Sequence, residues 1–133
     1  NTIELFYGRI FTVYGEGQFS GNLWPSLRKA AMAGADFAMT KGEQVRDFIP
    51  VSTVAQHLLY ALRRPDLQPT KPMVVNIGTG QGMCVADFAR KQWQDLRAAG
   101  CLKLGDIPSR PGQISRMVAD PINLEYSCNG EWQ

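Results

Sequence analysis

The chain has 133 residues, of which 44% are hydrophobic and 20% are charged, values that are ordinary for a soluble globular domain. Its formal net charge is +2, from 14 basic and 12 acidic side chains, which is too small to indicate a nucleic-acid or anionic-membrane partner. The apolar runs are far shorter than the ~20 residues that span a bilayer, and the first residues lack a signal-peptide pattern. We therefore expect one soluble domain over residues 1–133.

The three cysteines, Cys84, Cys101 and Cys128, are odd in number, and none has Cys-x-x-Cys spacing. Neither a disulfide framework nor a metal site is therefore indicated. Free thiols, buried or half-buried, are typical of a reducing cytoplasm, so we expect a cytoplasmic protein.

The first part of the chain alternates strand and helix patterns. Residues 5–13 are rich in aromatic and β-branched side chains and predict a strand. A helix follows, with Pro25 in its first turn and Gly34 at its end. Residues 37–40 predict a short extended segment, and residues 45–51 predict a second short strand.

The second part predicts two further helices and two strands. One helix begins at a Ser52 or Thr53 cap and ends before Pro65, with an apolar face made of Val54, Leu58, Ala61 and Leu62. The best strand of the chain, residues 73–77, leads into a glycine-rich loop. A helix over residues 85–99, with Phe88, Ala89 and Trp93 inward, precedes a strand over residues 102–104.

This alternation predicts an α/β fold. Strands 5–13 and 73–77 are nearly all apolar, which is typical of central strands in a parallel sheet covered on both faces. Two such strands alone make an incomplete sheet. The pattern therefore indicates that part of a larger fold is missing.

Two features resemble functional sites without fitting one. The loop at residues 78–82 has the spacing Gly-x-Gly-x-Gly rather than Gly-x-Gly-x-x-Gly, and no acidic residue ends a second strand ~20 residues later. We therefore do not interpret it as a dinucleotide-binding loop. His57 is a single histidine within a predicted helix, a position that is more often structural than catalytic, and it is interpreted as structural.

Four short motifs carry a family likeness: Arg-Ile-Phe-Thr-Val-Tyr-Gly at residues 9–15, Arg-Asp-Phe-Ile-Pro-Val at 46–51, Val-Asn-Ile-Gly-Thr-Gly at 75–80 and Arg-Pro-Gly at 110–112. In order and spacing they resemble segments of NAD-dependent nucleotide-sugar epimerases and dehydratases, which are extended short-chain dehydrogenases/reductases. The resemblance implies the C-terminal portion of that fold, without the N-terminal Rossmann part that binds NAD. The strands near residues 5–13 and 73–77 would then belong to the NAD-domain sheet.

The resemblance also implies which residues bind a nucleotide diphosphate sugar. Arg46 and Arg110 would contact the diphosphate, for which paired guanidinium groups are suited. Asn22 and the backbone of Leu23 would contact it at a helix start. The alternatives are a surface ion pair for each arginine, with Asp47 beside Arg46, and an ordinary helix cap for Asn22.

The remaining implied contacts are to the base and the ribose. Phe37 and Met39 would line the base pocket, although plain core packing of Phe37 is an equal alternative. Thr12 stands where the family usually has Asn, and Gln113 where an acidic residue often accepts ribose hydroxyls. Both can still form hydrogen bonds. Pro50 and Thr53 also depart from the usual His and Asp.

The family's catalytic base is the tyrosine of a Tyr-x-x-x-Lys helix, and no tyrosine in this chain has a lysine four residues later. We therefore expect no catalytic residue and no bound cofactor in this chain, although the family implies NAD(P) for the parent enzyme.

The expected function is the nucleotide-sugar-binding portion of an NAD(P)-dependent sugar-nucleotide epimerase, dehydratase or reductase that is not catalytic alone. The expected partners are the nucleotide sugar and either further copies of the chain or a missing NAD-binding half. The alternative is a truncated stand-alone protein that oligomerises or binds a nucleotide without enzymatic activity. The sequence leaves the nucleotide and the sugar open.

Overall fold

The computed structural model describes residues 3–120 of the chain. Their contacts form two compact units within the predicted single domain. Unit 1 comprises residues 3–13, 47–81 and 118–120, and unit 2 comprises residues 14–46 and 82–117. The elements alternate between strand and helix, as expected for an α/β fold.

Unit 1 contains a parallel pair of strands, β1 (Phe6–Ile10) and β6 (Met73–Ile77), in which Phe6 lies opposite Met73. The strand predicted at residues 73–77 is confirmed at both ends. Its last three residues are buried, whereas most of β1 is exposed. Full burial on both faces, which the apolar composition indicated, is therefore wrong for β1 in this structure.

The strand predicted at residues 5–13 is two strands, because the chain changes its hydrogen-bonding partner after Phe11. The amide of Phe11 still donates to the carbonyl of Ile77 at 3.0 Å, but the amide of Thr12 donates to the carbonyl of Asp47 at 3.0 Å. From there β2 (Thr12–Tyr14) pairs with β5 (Phe48–Pro50).

Helix α2 (Val51–Ala61) follows β5 directly. The predicted cap at Ser52 or Thr53 is wrong, since Pro50 is the N-cap residue and no side chain caps the helix. The proline ring fixes the φ of Pro50 at −62°, and with a ψ of 142° this residue is extended directly before the first helical residue. The helix also ends earlier than predicted, at Ala61.

The core of unit 1 is the cluster of Ile49, Val54 and Ile77, against which Phe6 and Val13 pack. The predicted apolar face of α2 is therefore correct only in part. Val54 and Ala61 are buried, but Leu58 is exposed and Leu62 is 82% exposed.

Unit 2 is built on two helices, α1 (Leu23–Met32) and α3 (Val85–Asp95), and on the parallel strands β3 (Phe37–Met39) and β8 (Leu102–Leu104). Pro25 lies in the first turn of α1, and both strands lie where the sequence predicted strands. The core comprises Leu27, Ala31, Met39, Ala89 and Trp93.

Both helices of unit 2 end in the same motif, made with different residues. After α1, Gly34 takes a φ of 65° and the amide of Ala35 returns to the carbonyl of Ala30 at 3.0 Å. After α3, Arg97 takes the left-handed position with a φ of 49°, and the amide of Ala98 returns to the carbonyl of Trp93 at 3.2 Å. The helix predicted over residues 85–99 ends at Asp95 instead. The predicted end was too late because it relied on Gly100 as the terminator, whereas Arg97 takes the left-handed position.

A three-stranded sheet completes unit 2 in the order β7 (Met83–Cys84), β4 (Val45–Arg46), β9 (Arg116–Met117). Strand β4 runs antiparallel to β7 and parallel to β9. The strand predicted at residues 45–51 is thus interrupted at Asp47, with β4 in unit 2 and β5 in unit 1.

We predict that Leu27→Ala destabilises unit 2 by about 2–5 kcal/mol, because it leaves a cavity at a side chain that is only 1% exposed. Urea unfolding followed by tryptophan fluorescence measures this loss. The matched control is Met32→Ala on the same helix, where the side chain is 73% exposed and the expected loss is below about 1 kcal/mol. Equal losses in the two variants would contradict the assignment of the core.

Candidate functional site

The guanidinium of Arg46 lies at the junction of β4 with the segment that leads into β9. Its Nη1 donates to the carbonyl of Val45 at 2.9 Å, and its Nη2 donates to the carbonyl of Ile114 at 2.8 Å. The amide of Val45 donates to the carbonyl of Ser115 at 2.8 Å and holds the two segments side by side. The structure thus fixes the direction of this side chain through backbone carbonyls.

The surface ion pair considered for Arg46 is not observed. No ion pair of residues 3–120 includes Arg46, and the carboxylate of Asp47 has other partners. A guanidinium carries five N–H donors, and the two contacts to carbonyls leave the others for an anion. The residue as a whole is half-buried.

Gln113 directly precedes Ile114, whose carbonyl accepts a hydrogen bond from the guanidinium of Arg46. The side-chain amide of Gln44 donates to Oε1 of Gln113. Arg110 lies three residues earlier, before the turn at Pro111, and is exposed. No hydrogen bond of residues 3–120 joins Arg110 to Arg46 or Gln113.

Asn22 is the N-cap residue of α1, but its side chain makes no capping hydrogen bond. The helix-cap alternative therefore does not account for this amide, which remains exposed. Leu23 begins the helix and packs against the core of unit 2. Its side chain is structural, so any contact it makes to an anion would come from its backbone N–H.

Phe37 and Met39 occupy the core of unit 2 rather than an open pocket. Met39 is buried, and the ring of Phe37 lies 6.4 Å from the ring of Trp93 between centroids. Core packing, which the sequence left open for Phe37, is what the structure shows. Phe37 is nevertheless only half-buried. Thr12 belongs to unit 1, where it is half-buried.

A buried carboxylate, which the sequence did not single out, organises the loop after β6. Asp47 is 0% exposed. Its Oδ1 accepts the amide of Thr79 at 2.8 Å and the hydroxyl of Thr79 at 2.5 Å. Its Oδ2 accepts the amide of Gly80 at 2.8 Å and the amide of Ala119 at 3.2 Å.

The glycines of this loop fit the carboxylate closely. A Cβ on Gly78 would lie 2.7 Å from Oδ2 of Asp47 and 2.6 Å from the Cβ of Ala119, closer than side chains allow. Gly80 takes a φ of 74°, which only glycine adopts easily. The sequence signal that could have indicated this cluster is the combination of Asp47 with the Gly-Thr-Gly segment at residues 78–80.

Comparison with known proteins identifies the family. Residues 1–78 match the model of the NAD dependent epimerase/dehydratase family. This chain belongs to that family. The match confirms the resemblance that the motifs indicated. The relatives whose activity is named are much longer than this chain.

Three similar proteins illustrate the family. The chain is 28% identical to "Putative UDP-arabinose 4-epimerase 4" of Arabidopsis thaliana over 86% of its own length but only 26% of that relative. It shares the fold of a UDP-N-acetylglucosamine 4-epimerase from Methanobrevibacter ruminantium M1, with a TM-score of 0.76, 22% identity, and coverage of 94% of this chain and 41% of that one. MoeE5, solved with UDP-glucose and NAD, gives a TM-score of 0.72, 29% identity, and coverage of 88% and 38%.

Within this epimerase/dehydratase chain, the glycine loop after β6 does not fit a dinucleotide. A phosphate on such a loop needs its free amides. The amides of Thr79 and Gly80 are already donated to Asp47. This geometry supports the interpretation of residues 78–82 as a structural turn, and no NAD contact is assigned to it.

Neither a metal site nor a membrane-spanning helix is found among residues 3–120. Residues 3–120 contain no group of three or more histidine, cysteine or acidic side chains placed to hold a metal ion. No helix in that part of the chain is long and apolar enough to cross a membrane.

Cys84 is half-buried, but Cys101 is exposed, so the expected burial of the thiols is wrong for Cys101. Cys128 lies outside the described residues.

His57, on α2, is the single histidine of the epimerase/dehydratase chain. It is half-buried, and this burial lowers the pKa of its imidazole below the ordinary value of 6.5. The pKa shift has a simple consequence for stability. As the pH falls below 6.5, the unfolded chain gains a proton that the folded chain binds less readily.

We therefore predict that His57 causes the free energy of unfolding to decrease as the pH falls below 6.5 toward its lowered folded-state pKa. Urea unfolding of the wild type and His57→Gln, from about pH 8 to about pH 5, measures the difference. Carboxylates titrate in both proteins and cancel in the comparison. The same pH dependence in the two proteins would show that burial of His57 has no such effect.

Proposed function

We propose that this chain is the nucleotide-sugar-binding portion of an NAD(P)-dependent sugar-nucleotide epimerase, dehydratase or reductase, and that it is not catalytic alone. Family membership supports the class of ligand, and MoeE5 has been solved with UDP-glucose. The observation that carries the proposal is the placement of Arg46. Its guanidinium is oriented by two backbone carbonyls, lacks an ion pair within residues 3–120, and lies beside the segment that contains Gln113.

The diphosphate would be held by cationic and neutral donors. Arg46 supplies a guanidinium that is already oriented by two carbonyls, and its charge-assisted hydrogen bonds are stronger than neutral ones. Arg110, exposed and unpaired within residues 3–120, supplies a second permanent charge. The uncapped side chain of Asn22 and the backbone N–H of Leu23, at the positive end of α1, are neutral donors of the same kind.

The base and the ribose would be held more weakly. The exposed part of Phe37 and the backbone of Met39, on the same strand, are the proposed contacts to the base. Gln113 is the proposed partner for ribose hydroxyls, with its carbonyl oxygen now shared with Gln44. Thr12 keeps a hydroxyl for the same purpose. These four residues set which base and sugar are accepted.

The proposal assigns no proton or hydride transfer to this chain. Its sequence contains no Tyr-x-x-x-Lys, and the glycine loop after β6 is committed to Asp47. The chain spans about a quarter of the length of the UDP-arabinose 4-epimerase it matches, so the catalytic machinery of a parent enzyme would lie in other residues. A cytoplasmic location, suggested by the free thiols of Cys84 and Cys101, belongs to the same proposal.

We predict that calorimetry detects binding of one nucleotide among UDP, CDP, dTDP and GDP, free or sugar-linked. Arg110→Ala should weaken that binding by about tenfold or more, because an exposed charge-assisted contact to phosphate is lost. Arg46→Lys should weaken it similarly while keeping the charge, since lysine cannot reproduce the planar fork. Both variants should show no hydride transfer to added NAD.

The matched control is Arg90→Ala, which removes an exposed arginine from the same unit. Arg90 is paired with Asp87 at 2.7 Å, on a helix rather than at the proposed site. Its loss should leave the affinity unchanged. Absence of binding to all four nucleotides would refute a functional site in the chain as it stands, and equal losses in all three variants would refute the assigned contacts.

Exposed apolar side chains on unit 1 favour the second candidate function, a stand-alone chain that oligomerises. Tyr7 on β1 is 57% exposed, and Leu58, Leu59 and Leu62 are exposed on or just after α2. Apolar surface of this kind is normally covered in a soluble protein. Further copies of the chain, or a missing NAD-binding half, would cover it.

We predict that the isolated chain self-associates through this surface. Sedimentation should show a species larger than a monomer, and Leu62→Lys should shift it toward the monomer. Met32→Lys, at an exposed apolar side chain of unit 2, is the control and should leave the distribution unchanged. A dilute, monodisperse monomer with ordinary thermal stability and no apolar dye binding would contradict the prediction.

A further inference from the structure

The start of helix α1 lacks the side-chain cap that its sequence offers. Asn22 is the N-cap residue, with a φ of −73° and a ψ of 161°, the extended conformation from which asparagine normally caps a helix. Its side-chain oxygen would accept the N–H of the second or third helical residue. That hydrogen bond is absent, and Asn22 is exposed. A suitable residue in a suitable conformation therefore leaves the helix uncapped.

Pro25 provides a physical reason for the missing cap. It is the third residue of α1, and proline has no backbone N–H. One of the two donors that a cap could bind is therefore missing, and the Cδ of the ring takes the place of the hydrogen. A side-chain oxygen of Asn22 directed there would meet a CH₂ group. The helix itself loses no internal hydrogen bond, because the N–H groups of its first turn have no acceptor within the helix.

The backbone of Asn22 is nevertheless held on both sides. Its N–H donates to the carbonyl of Phe19 at 3.0 Å, and its carbonyl accepts the N–H of Ser26 at 3.1 Å. The hydroxyl of Ser26 also donates to the carbonyl of Ser20 at 2.8 Å. The loop before α1 is thus bound to the first turn of the helix without the side chain of Asn22, whose amide is left for another partner.

The same helix start leaves two backbone donors open. Within residues 3–120, the N–H groups of Leu23 and Trp24 donate no hydrogen bond. The indole Nε1 of Trp24 donates to Oε1 of Gln92 on α3 at 3.0 Å and holds this turn in place. A capping oxygen of Asn22 would lie against these backbone donors and carry a partial negative charge. The cap would therefore compete with the diphosphate for the same donors.

We propose that Pro25 is a positioning residue for the diphosphate contacts of unit 2. Because it lacks the third helical N–H, it prevents Asn22 from capping α1. The side-chain amide of Asn22 and the N–H of Leu23 then stay open to a nucleotide diphosphate. The effect on affinity rests on the proposed function, whereas the effect on the cap does not.

The first measurement is a double-mutant cycle on stability, by urea unfolding of the whole chain. Asn22→Ala alone should leave the unfolding equilibrium constant nearly unchanged, since no cap is lost. Pro25→Ala restores the missing N–H, so in that background Asn22→Ala should raise the unfolding constant about fivefold or more.

The matched control for this cycle is Pro65→Ala, which removes a proline from the loop after α2. Loss of either proline makes the unfolded chain more flexible, and this effect cancels within each background. Asn22→Ala should have no effect on stability in the Pro65→Ala background. The same effect of Asn22→Ala in all three backgrounds would overturn the proposal.

The second measurement is the affinity for UDP by calorimetry, at a temperature where every variant is folded. Pro25→Ala should weaken binding about fivefold or more, because the new cap has to be broken before the diphosphate binds. Pro65→Ala should leave the affinity unchanged. Normal affinity in Pro25→Ala would overturn the link to the ligand. If the wild-type chain binds no nucleotide, the proposed function fails, while the stability cycle still decides whether Pro25 prevents the cap.

Discussion

The fully buried carboxylate of Asp47, whose hydrogen-bond donors within residues 3–120 are all neutral, constrains the segments that surround it. The oxygens of Asp47 must be satisfied by donors, and those donors come from segments far apart in sequence, at Thr79, Gly80 and Ala119. Each donor has to arrive at hydrogen-bonding distance, so the loop after β6 requires glycine at two positions. The Gly-Thr-Gly sequence is explained by this requirement, and its likeness to a phosphate-binding loop is a shared solution to holding an anion with backbone amides.

The same residue explains why sequence patterns predicted the elements well and their partners poorly. Residues 5–13 and 45–51 were each predicted as one strand, and each contains two strands in the structure. Periodicity reports whether a segment is extended and says nothing about which neighbour it pairs with. The change of partner depends on Asp47, whose backbone carbonyl accepts the amide of Thr12. By contrast β6, whose partner is β1 throughout, was predicted at both ends.

Helix ends show the limit of residue-type rules. Gly34 was predicted to end α1 and does so, because glycine adopts the left-handed position at no cost. Arg97 performs the same role after α3 at some steric cost, and the close packing of Trp93 in the core stabilises that turn. At the start of α2, Pro50 replaces the expected polar cap. The residue type alone therefore predicts the end of α1, but not the end of α3 or the start of α2.

The sequence proposes which residues form the candidate site, and the structure shows how one of them, Arg46, is held. Motif order indicated Arg46, Arg110 and Gln113 together, and Gln113 directly precedes Ile114, whose carbonyl accepts a hydrogen bond from Arg46. What no motif indicated is that Arg46 is already bound to two carbonyls before any ligand arrives. A side chain held in this way loses little rotamer freedom on binding, so more of its interaction energy appears as affinity.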